Sequence, residues 1–295
     1  MLYSFTAFTI WGILPLYWKA LAEVPSPQLM AHRVLWSFVF VLVVVLLKKR
    51  WKQTVVFMST RRTWLACAFS AFFIGANWFI YVWAVTSGHV VESSMGYFIT
   101  PLVSVVLGIV FLREKLGFWK SFSLFFAFGG VLYLTVMYGR FPWIALTLAA
   151  LFGTYGLLRK IARVDSLTGL FFETAILSPL CFAYLVIQQT RGSGVIGDAS
   201  FTTYLLLVFS GVVTAAPILF FAHGTRRIPL YMVGFIQYIA PTLQLILGVF
   251  VFKESFGTVH RISFGLIWFA LLLFSLSHTP LMRRIEPRRE DAGSG

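Results

Sequence analysis

Long apolar stretches alternate with short polar segments along almost the whole chain. A helix needs about 20 apolar residues to cross the roughly 30 Å hydrocarbon core of a bilayer, with about 17 as the lower limit. Runs such as 38–47 are apolar throughout, whereas a membrane β-barrel shows alternating polarity in segments of about ten residues. The pattern predicts an all-α polytopic membrane protein with about ten transmembrane helices, at residues 2–18, 27–47, 64–85, 90–112, 118–137, 141–158, 167–187, 204–223, 230–252 and 262–277.

The second half of the chain repeats the first at a constant offset of 140 residues. The matched positions include Pro101 and Pro241, Gly108 and Gly248, and Glu114 and Glu254. Each copy holds five spans, and an odd number inverts the second copy in the bilayer relative to the first, as in many secondary transporters. We predict two inverted five-helix repeats, at 1–138 and 139–279, and a disordered cytoplasmic tail at 280–295. Duplicated channels and enzymes also exist, so the repeat favours transport without proving it.

Charge is scarce and lies mostly at the ends of the apolar stretches. Of the 295 residues, 12% are charged and 59% hydrophobic, with a mean hydropathy of +0.86, whereas soluble domains carry about 25% charged residues. The net charge of +14 comes from short basic runs such as 48–52, too short to form a nucleic-acid-binding module. With ten spans, 18 of the 24 Lys and Arg fall on the side of both termini, which predicts that both are cytoplasmic.

Two charged residues, Arg33 and Glu173, lie inside predicted spans at positions that the repeat makes equivalent. A charge at the centre of a membrane helix costs about 2.5–3.5 kcal/mol or more, so such residues tend to face a cavity or a partner. We predict that they contribute to a gate or a substrate clamp, with Glu173 as the site of proton coupling. The alternative is snorkelling to a headgroup, which suits the long side chain of Arg33 better than that of Glu173.

The fourth and ninth spans each carry a stripe of four residues at i, i+4, i+7 and i+11, a spacing that shares one helical face. The stripes are Tyr97, Pro101, Ser104 and Gly108, and then Gln237, Pro241, Gln244 and Gly248. The polar members are predicted to line a pathway, and the prolines to kink their helices by removing a backbone hydrogen bond. Close helix packing is the alternative, and it is favoured for the two glycines.

Aromatic and amide side chains are predicted to complete this pathway. The candidates are Trp11, Asn77, Trp78, Tyr81 and Tyr238. An aromatic cavity with a few amides suits a flat, amphipathic solute held by stacking and a small number of hydrogen bonds. Tryptophan also belongs to the belts at membrane interfaces, but Trp11 and Trp78 lie deep in their spans.

No motif points to an enzyme, a metal site or a cofactor. The sequence lacks the Gly-x4-Gly-Lys-Ser/Thr loop of ATP-binding proteins and the His-Glu-x-x-His and Gly-x-Ser-x-Gly motifs. Its two cysteines, Cys67 and Cys181, lie in separate apolar stretches. A secondary transporter is therefore favoured over an enzyme, and a channel or a non-transporting sensor or scaffold is the alternative.

The pattern Pro-x6-Gly-x5-Glu-x2-Gly occurs at 101–117 and again at 241–257. It resembles the EamA module of the drug/metabolite transporter superfamily. The strings Ile-Trp-Gly-Ile-Leu-Pro at 10–15, Gly-Tyr-Phe-Ile-Thr-Pro at 96–101 and Gln-Tyr-Ile-Ala-Pro-Thr at 237–242 are similar to those of RarD-type permeases.

The resemblance implies a bacterial inner-membrane permease in which the first four helices of each repeat surround a central cavity. It also implies export of small amphipathic or aromatic metabolites or drugs, and the family name is associated with chloramphenicol sensitivity. The expected partners are this solute, membrane lipids and protons as a coupling ion, whereas the oligomeric state stays open. Glu114 and Glu254 end their spans and are expected to anchor the next turn rather than to contact the solute.

Overall fold

The computed structural model describes residues 1–59, 61–87, 89–162, 164–197, 199–251, 253, 257–277, 279 and 282. All regular structure within these ranges is helical. Glu254 and nearly all of the predicted tail at 280–295 lie outside the described residues. The helices are α1 (Leu2–Lys19), α2 (Ser26–Leu47), α3 (Trp51–Ser59), α4 (Arg61–Thr86), α5 (Val90–Leu112), α6 (Phe118–Tyr138), α7 (Trp143–Ile161), α8 (Ser166–Thr190), α9 (Phe201–Thr225), α10 (Leu230–Gln237), α11 (Ile239–Ile246), a π-helical turn (Leu247–Val251) and α12 (Thr258–Leu276).

Nine helical segments in the described part of the chain are long and apolar enough to cross a membrane. They match the second to tenth predicted spans, and the ninth span consists of α10, α11 and the π-helical turn together. The first predicted span forms α1, which is not among the nine. It nevertheless packs within the bundle, against α9 and α11. The prediction of an all-α polytopic membrane protein is confirmed.

The structure departs from uninterrupted spans in two places. A short helix, α3, follows the second span, and it begins with the exposed residues Trp51 and Lys52. The ninth span divides at Tyr238, because Pro241 has no N–H to donate to the carbonyl of Gln237 four residues earlier. The fourth span, α5, continues past Pro101 without a break. The two equivalent prolines therefore sit in different local structures.

Helix packing follows a two-fold relation between the two halves. The pair α1 and α9 corresponds to α7 and α4, and the pair α2 and α9 corresponds to α8 and α4. Close approaches between helices recur as well. A Cβ added at Gly12 would lie 2.7 Å from Leu243, and one added at Gly153 would lie 2.7 Å from Val103. Leu243 and Val103 are equivalent residues under the 140-residue offset. The contacts are therefore consistent with the predicted repeat.

The turn after the fourth span has the same backbone as the turn after the ninth. Arg113 and Lys253, which are equivalent, both adopt left-handed conformations, with φ of 53° and 58°. Gly117 and Gly257 then form the N-caps of α6 and α12, both in the extended region with ψ of 169° and 172°. The helices α6 and α12 pack against each other, which leaves the remaining spans to build the central bundle.

Candidate functional site

A cavity of about 550 Å³ lies between the two halves of the chain. Its wall extends to Ala22 and Ser26, around the connection between α1 and α2, and to Ser93 near the start of α5. The charge distribution predicts that this side of the protein faces away from the cytoplasm. The predicted pathway residues on the wall are Trp11, Arg33, Asn77, Trp78, Tyr81, Tyr97, Gln237 and Gln244. Pro101, Pro241 and Gly248, which were predicted to have structural roles, line the cavity as well, so Gly248 is not confined to helix packing.

The cavity has the size and aromatic character of a small-molecule site. Pockets for drug-sized ligands have volumes of about 300–1,000 Å³ and mostly apolar walls. The Trp11 ring packs edge-on against Phe152, with centroids 5.8 Å apart, and the rings of Tyr81 and Tyr97 lie 6.1 Å apart. Behind Trp11 and Phe152 lies the fully buried Phe221, which closes the cavity on the opposite side from its mouth.

Arg33 is the single charged side chain among the described residues that line the cavity. Its Nε donates a hydrogen bond to Thr214 Oγ1 at 3.0 Å, and its Nη1 lies 3.1 Å from Met30 Sδ. The guanidinium carbon lies 4.3 Å from the ring centroid of Trp18, a cation–π distance. Sequence reasoning missed Trp18 and Thr214, because neither is polar or charged enough to stand out from its span.

The amide side chains of the cavity are fixed by backbone and side-chain contacts. Asn77 Nδ2 donates to the carbonyl of Leu148 at 2.9 Å, and Gln244 Nε2 donates to the carbonyl of Trp11 at 3.2 Å. Gln237 Oε1 accepts a hydrogen bond from Ser104 Oγ at 3.1 Å. Ser104 is buried and does not reach the cavity surface, so the structure places it behind Gln237.

Glu173 does not line the cavity and does not contact Arg33. Its carboxylate lies 3.3 Å from Arg159 Nη1 and accepts hydrogen bonds from Ser70 Oγ at 2.5 Å and Tyr155 Oη at 3.1 Å. All four side chains are buried. Ser70 is four residues before Ile74, which lines the cavity, so the cluster lies about one helical turn, roughly 6 Å, below the cavity wall. We call these four residues the lower cluster.

The helix that carries Glu173 begins at a side-chain cap. Asp165 accepts hydrogen bonds from the backbone N–H groups of Leu167 and Thr168, both at 3.1 Å, and from Thr168 Oγ1 at 2.6 Å. Burial opposes the ionisation of Asp165, but these bonds and the charge of Arg50 at 3.7 Å outweigh it and lower its pKa. The cap fixes the start of α8 two turns before Glu173.

Tyr238 is also placed away from the cavity. It is buried and belongs to an apolar cluster with Met95, Ile99 and Ile267, on the side of the bundle that faces α6 and α12. Tyr238 directly follows Gln237, so its side chain points about 100° around the helix from the stripe that contains Gln237. The resemblance also implied that four helices of each repeat line the cavity, but α8 supplies no described residue of the wall.

Glu114 holds the start of the ninth span. Its carboxylate accepts hydrogen bonds from the backbone N–H groups of Leu230 at 2.7 Å and Tyr231 at 2.9 Å, which are unsatisfied donors of the first turn of α10. Lys160 Nζ lies 3.8 Å from the same carboxylate and donates to the carbonyl of Ile228 at 2.5 Å. The motif glutamate therefore joins the end of α5 to the start of α10.

The two ends of the α5–α10–α11 crossing differ. Away from the cavity mouth the helices touch. A Cβ added at Gly234 would lie 2.6 Å from the carbonyl oxygen of Pro101, and one added at Gly108 would lie 3.2 Å from Leu230. Under the repeat, the pair Gly234 and Pro101 corresponds to Ser94 and Pro241. Both Ser94 and Pro241 lie on the cavity wall. Pro101 lines the cavity too, so its contact with Gly234 marks the level at which α5 and α10 meet, whereas Ser94 and Pro241 both border the cavity.

Within the described ranges, no group of three or more His, Cys, Asp or Glu side chains could hold a metal ion. The polar groups of the cavity are instead a guanidinium, amides and hydroxyls, which bind organic solutes by hydrogen bonds.

Comparison with known proteins assigns the chain to a family. The EamA-like transporter family matches it twice, over residues 1–136 and 142–276. The chain is 42% identical to the uncharacterized transporter YojE of Bacillus subtilis, over 96% of this chain and 95% of the relative. It is 37% identical to the protein RarD of Escherichia coli, over 96% of each chain, and 29% identical to the chloramphenicol-sensitive protein RarD of Pseudomonas aeruginosa, also over 96% of each.

A solved crystal structure has the same fold. It aligns with a TM-score of 0.71 at 20% identity and covers 93% of this chain and 96% of the solved one. The relatives are bacterial proteins, YojE is named as a transporter, and the matches cover nearly the full length, which supports a location in the inner membrane. The chain belongs to the EamA-like transporter family, and its cavity is the candidate substrate site of a membrane transporter.

Proposed function

We propose that this protein is a secondary carrier that moves small amphipathic or aromatic solutes across the inner membrane by alternating access. The observation that supports this most directly is the asymmetric crossing of α5 with α10 and α11. One end is closed by Gly234 on Pro101, and the equivalent residues at the other end, Ser94 and Pro241, border an open cavity. If the two repeats exchange their conformations, the closed and open ends exchange as well.

The closed end has a defined physical basis. Glu114 ties the end of α5 to the start of α10, and Phe221, Tyr155 and the rest of the lower cluster fill the space beneath the cavity. Opening this side requires the separation of these contacts. The aromatic wall and the few fixed amides support a flat, amphipathic solute, and export is the direction that the family resemblance favours.

A carrier should show counterflow. In proteoliposomes that contain the purified protein, we expect an unlabelled aromatic solute inside to accelerate uptake of the labelled solute by several-fold. The acceleration arises because a loaded carrier reorients faster than an empty one. A channel would conduct without trans-stimulation, and a sensor or scaffold would give no flux above that of empty liposomes, so either result would reject the proposal.

Proton coupling through Glu173 is the second part of the proposal. With the lower cluster intact, Arg159 stabilises the charged carboxylate; when the cluster separates, Glu173 loses this partner and takes up a proton more readily. The variant Glu173→Gln should retain solute exchange but lose accumulation driven by a pH gradient. Glu92→Gln, which alters a buried acid near the cavity mouth that binds the backbone N–H of Ile144, serves as the comparison. Unchanged accumulation in Glu173→Gln would remove Glu173 from coupling.

A further inference from the structure

We infer that the solute of this cavity is a small aromatic anion, and that Arg33 binds its carboxylate or other acidic group. The inference rests on the carrier function proposed above and narrows its substrate class. It starts from the charge of the cavity, in which Arg33 is the single ionised side chain among the described lining residues and forms no ion pair with a described carboxylate.

The environment of Arg33 contrasts with that of the other buried arginine. Arg159 lies 3.3 Å from Glu173 and is 1% exposed, so its charge is already balanced by a carboxylate inside the protein. Arg33 contacts a hydroxyl, a thioether and an indole ring, and the phenols of Tyr17, Tyr81 and Tyr97 lie near enough to interact with its charge; none of these groups is a carboxylate. A cation kept in a membrane bundle without a counter-ion is stabilised most when the solute supplies one.

The geometry of the guanidinium favours a carboxylate over a point-like anion. A guanidinium has five N–H donors in a planar fork that can bind both oxygens of a carboxylate. Thr214 occupies Nε and Met30 one hydrogen of Nη1, which leaves donors on both Nη atoms. Trp18 stacks against the guanidinium at 4.3 Å and restricts its orientation, so the fork is held ready for the ligand.

The rest of the cavity fits the aromatic part of such an anion. Trp11 and Phe152 form a wall of rings near the closed end, and Tyr81 and Tyr97 form another. Asn77 uses its amide N–H to bind the Leu148 carbonyl, so its amide oxygen can accept a hydrogen bond from a solute N–H or O–H. The combination of one anion site, aromatic walls and a few acceptors defines the predicted solute.

The test uses matched pairs of aromatic carboxylates and their neutral amides. Phenylacetate and phenylacetamide, benzoate and benzamide, and indole-3-acetate and indole-3-acetamide are titrated into the purified protein at pH 7 by calorimetry. We expect at least one carboxylate to bind at least about tenfold more tightly than its own amide, since hydrogen bonds to charged groups are worth this much. Equal affinities within every pair would overturn the inference.

Substitution at Arg33 then assigns the preference to this residue. Arg33→Gln should weaken binding of the carboxylate by about 10- to 100-fold and change the affinity for its amide by no more than a factor of about three. Retained binding of the amide would also show that the variant is folded. Arg33→Lys keeps the charge without the fork and should retain part of the preference. Arg140→Gln removes the same charge from an exposed loop and should change neither affinity. A preference that survives in Arg33→Gln would also overturn the inference.

Counterflow with the same pairs separates this inference from the carrier function. If amides and carboxylates exchange equally well, the protein is a carrier but the anion assignment is wrong. If a carboxylate binds through Arg33 but no solute shows trans-stimulation, the binding site stands and the carrier function fails.

Discussion

Replacing Glu173 with leucine is expected to destabilise the protein by about 3–5 kcal/mol, the cost of removing one partner from a buried ion pair. The side chains of Arg159 and Glu173 are only 1% and 2% exposed, so solvent cannot stabilise the guanidinium once its partner is gone. Ser70 and Tyr155 would also lose their acceptor. The change should appear as a lower unfolding midpoint and a smaller free energy of unfolding in mixed micelles.

The double variant Arg159→Met and Glu173→Leu should recover most of the lost stability, because replacing a whole buried pair with apolar residues is often neutral. Arg159→Met alone should be about as damaging as Glu173→Leu. As a control, Arg50→Gln removes one side of an ion pair that is 47% and 37% exposed and should cost less than about 1 kcal/mol. Strictly additive effects at Arg159 and Glu173 would show that the two side chains do not form the proposed unit.

The transmembrane architecture could be predicted because each span needs its own length of apolar residues. Nine predicted spans meet this requirement in the structure, and the repeat was visible as matched prolines and glycines at one offset. The short helix α3 was missed because its composition is mixed, and the break at Tyr238 because one proline breaks a helix and its equivalent does not. The tertiary environment decides between these outcomes, and a single sequence does not contain it.

The residues of the cavity wall could be predicted from the sequence, whereas most of the side-chain partners could not. The stripe from Gln237 to Gly248 and the pair Asn77 and Trp78 are on the wall, since helical spacing identifies residues that share a face. The partner of Glu173 could not be predicted in the same way. Arg159 precedes Lys160 at the end of α7 and was counted with the cytoplasmic basic residues, whereas in the structure it is buried against α8. Periodicity identifies a face but not the helix that covers it.

The equivalence of Arg33 and Glu173 illustrates the same limit. The 140-residue offset pairs their positions, but the two residues lie in different surroundings, one on the cavity wall and one in the lower cluster. An inverted repeat is symmetric only on average over its two conformations, because in any one conformation one end is open and the other closed. Equivalent residues are therefore expected to have different partners in a single structure.

The variant Gly211→Ala is expected to destabilise the protein by about 1–3 kcal/mol, the usual cost of overpacking a well-packed interior. An added Cβ would overlap the carbonyl group of Trp36 on α2 and lie 2.7 Å from the backbone nitrogen of Ser37. These are backbone atoms, so no side-chain rotation can relieve the overlap and α2 must move away from α9. The hydrogen bond from Ser37 Oγ to the Gly211 carbonyl, at 3.1 Å, would be lost with this movement.

Gly129→Ala provides the matched control, because it makes the same substitution within a helix where an added Cβ meets nothing within 4 Å. That variant should be neutral or gain up to about 1 kcal/mol from the higher helix propensity of alanine. The displacement of α2 should also reach the binding site, since the hydrogen bond from Arg33 to Thr214 joins the same two helices about one turn from Gly211. Gly211→Ala should therefore weaken binding of the preferred carboxylate, and equal stability and affinity in the two variants would show that the α2–α9 contact does not position Arg33.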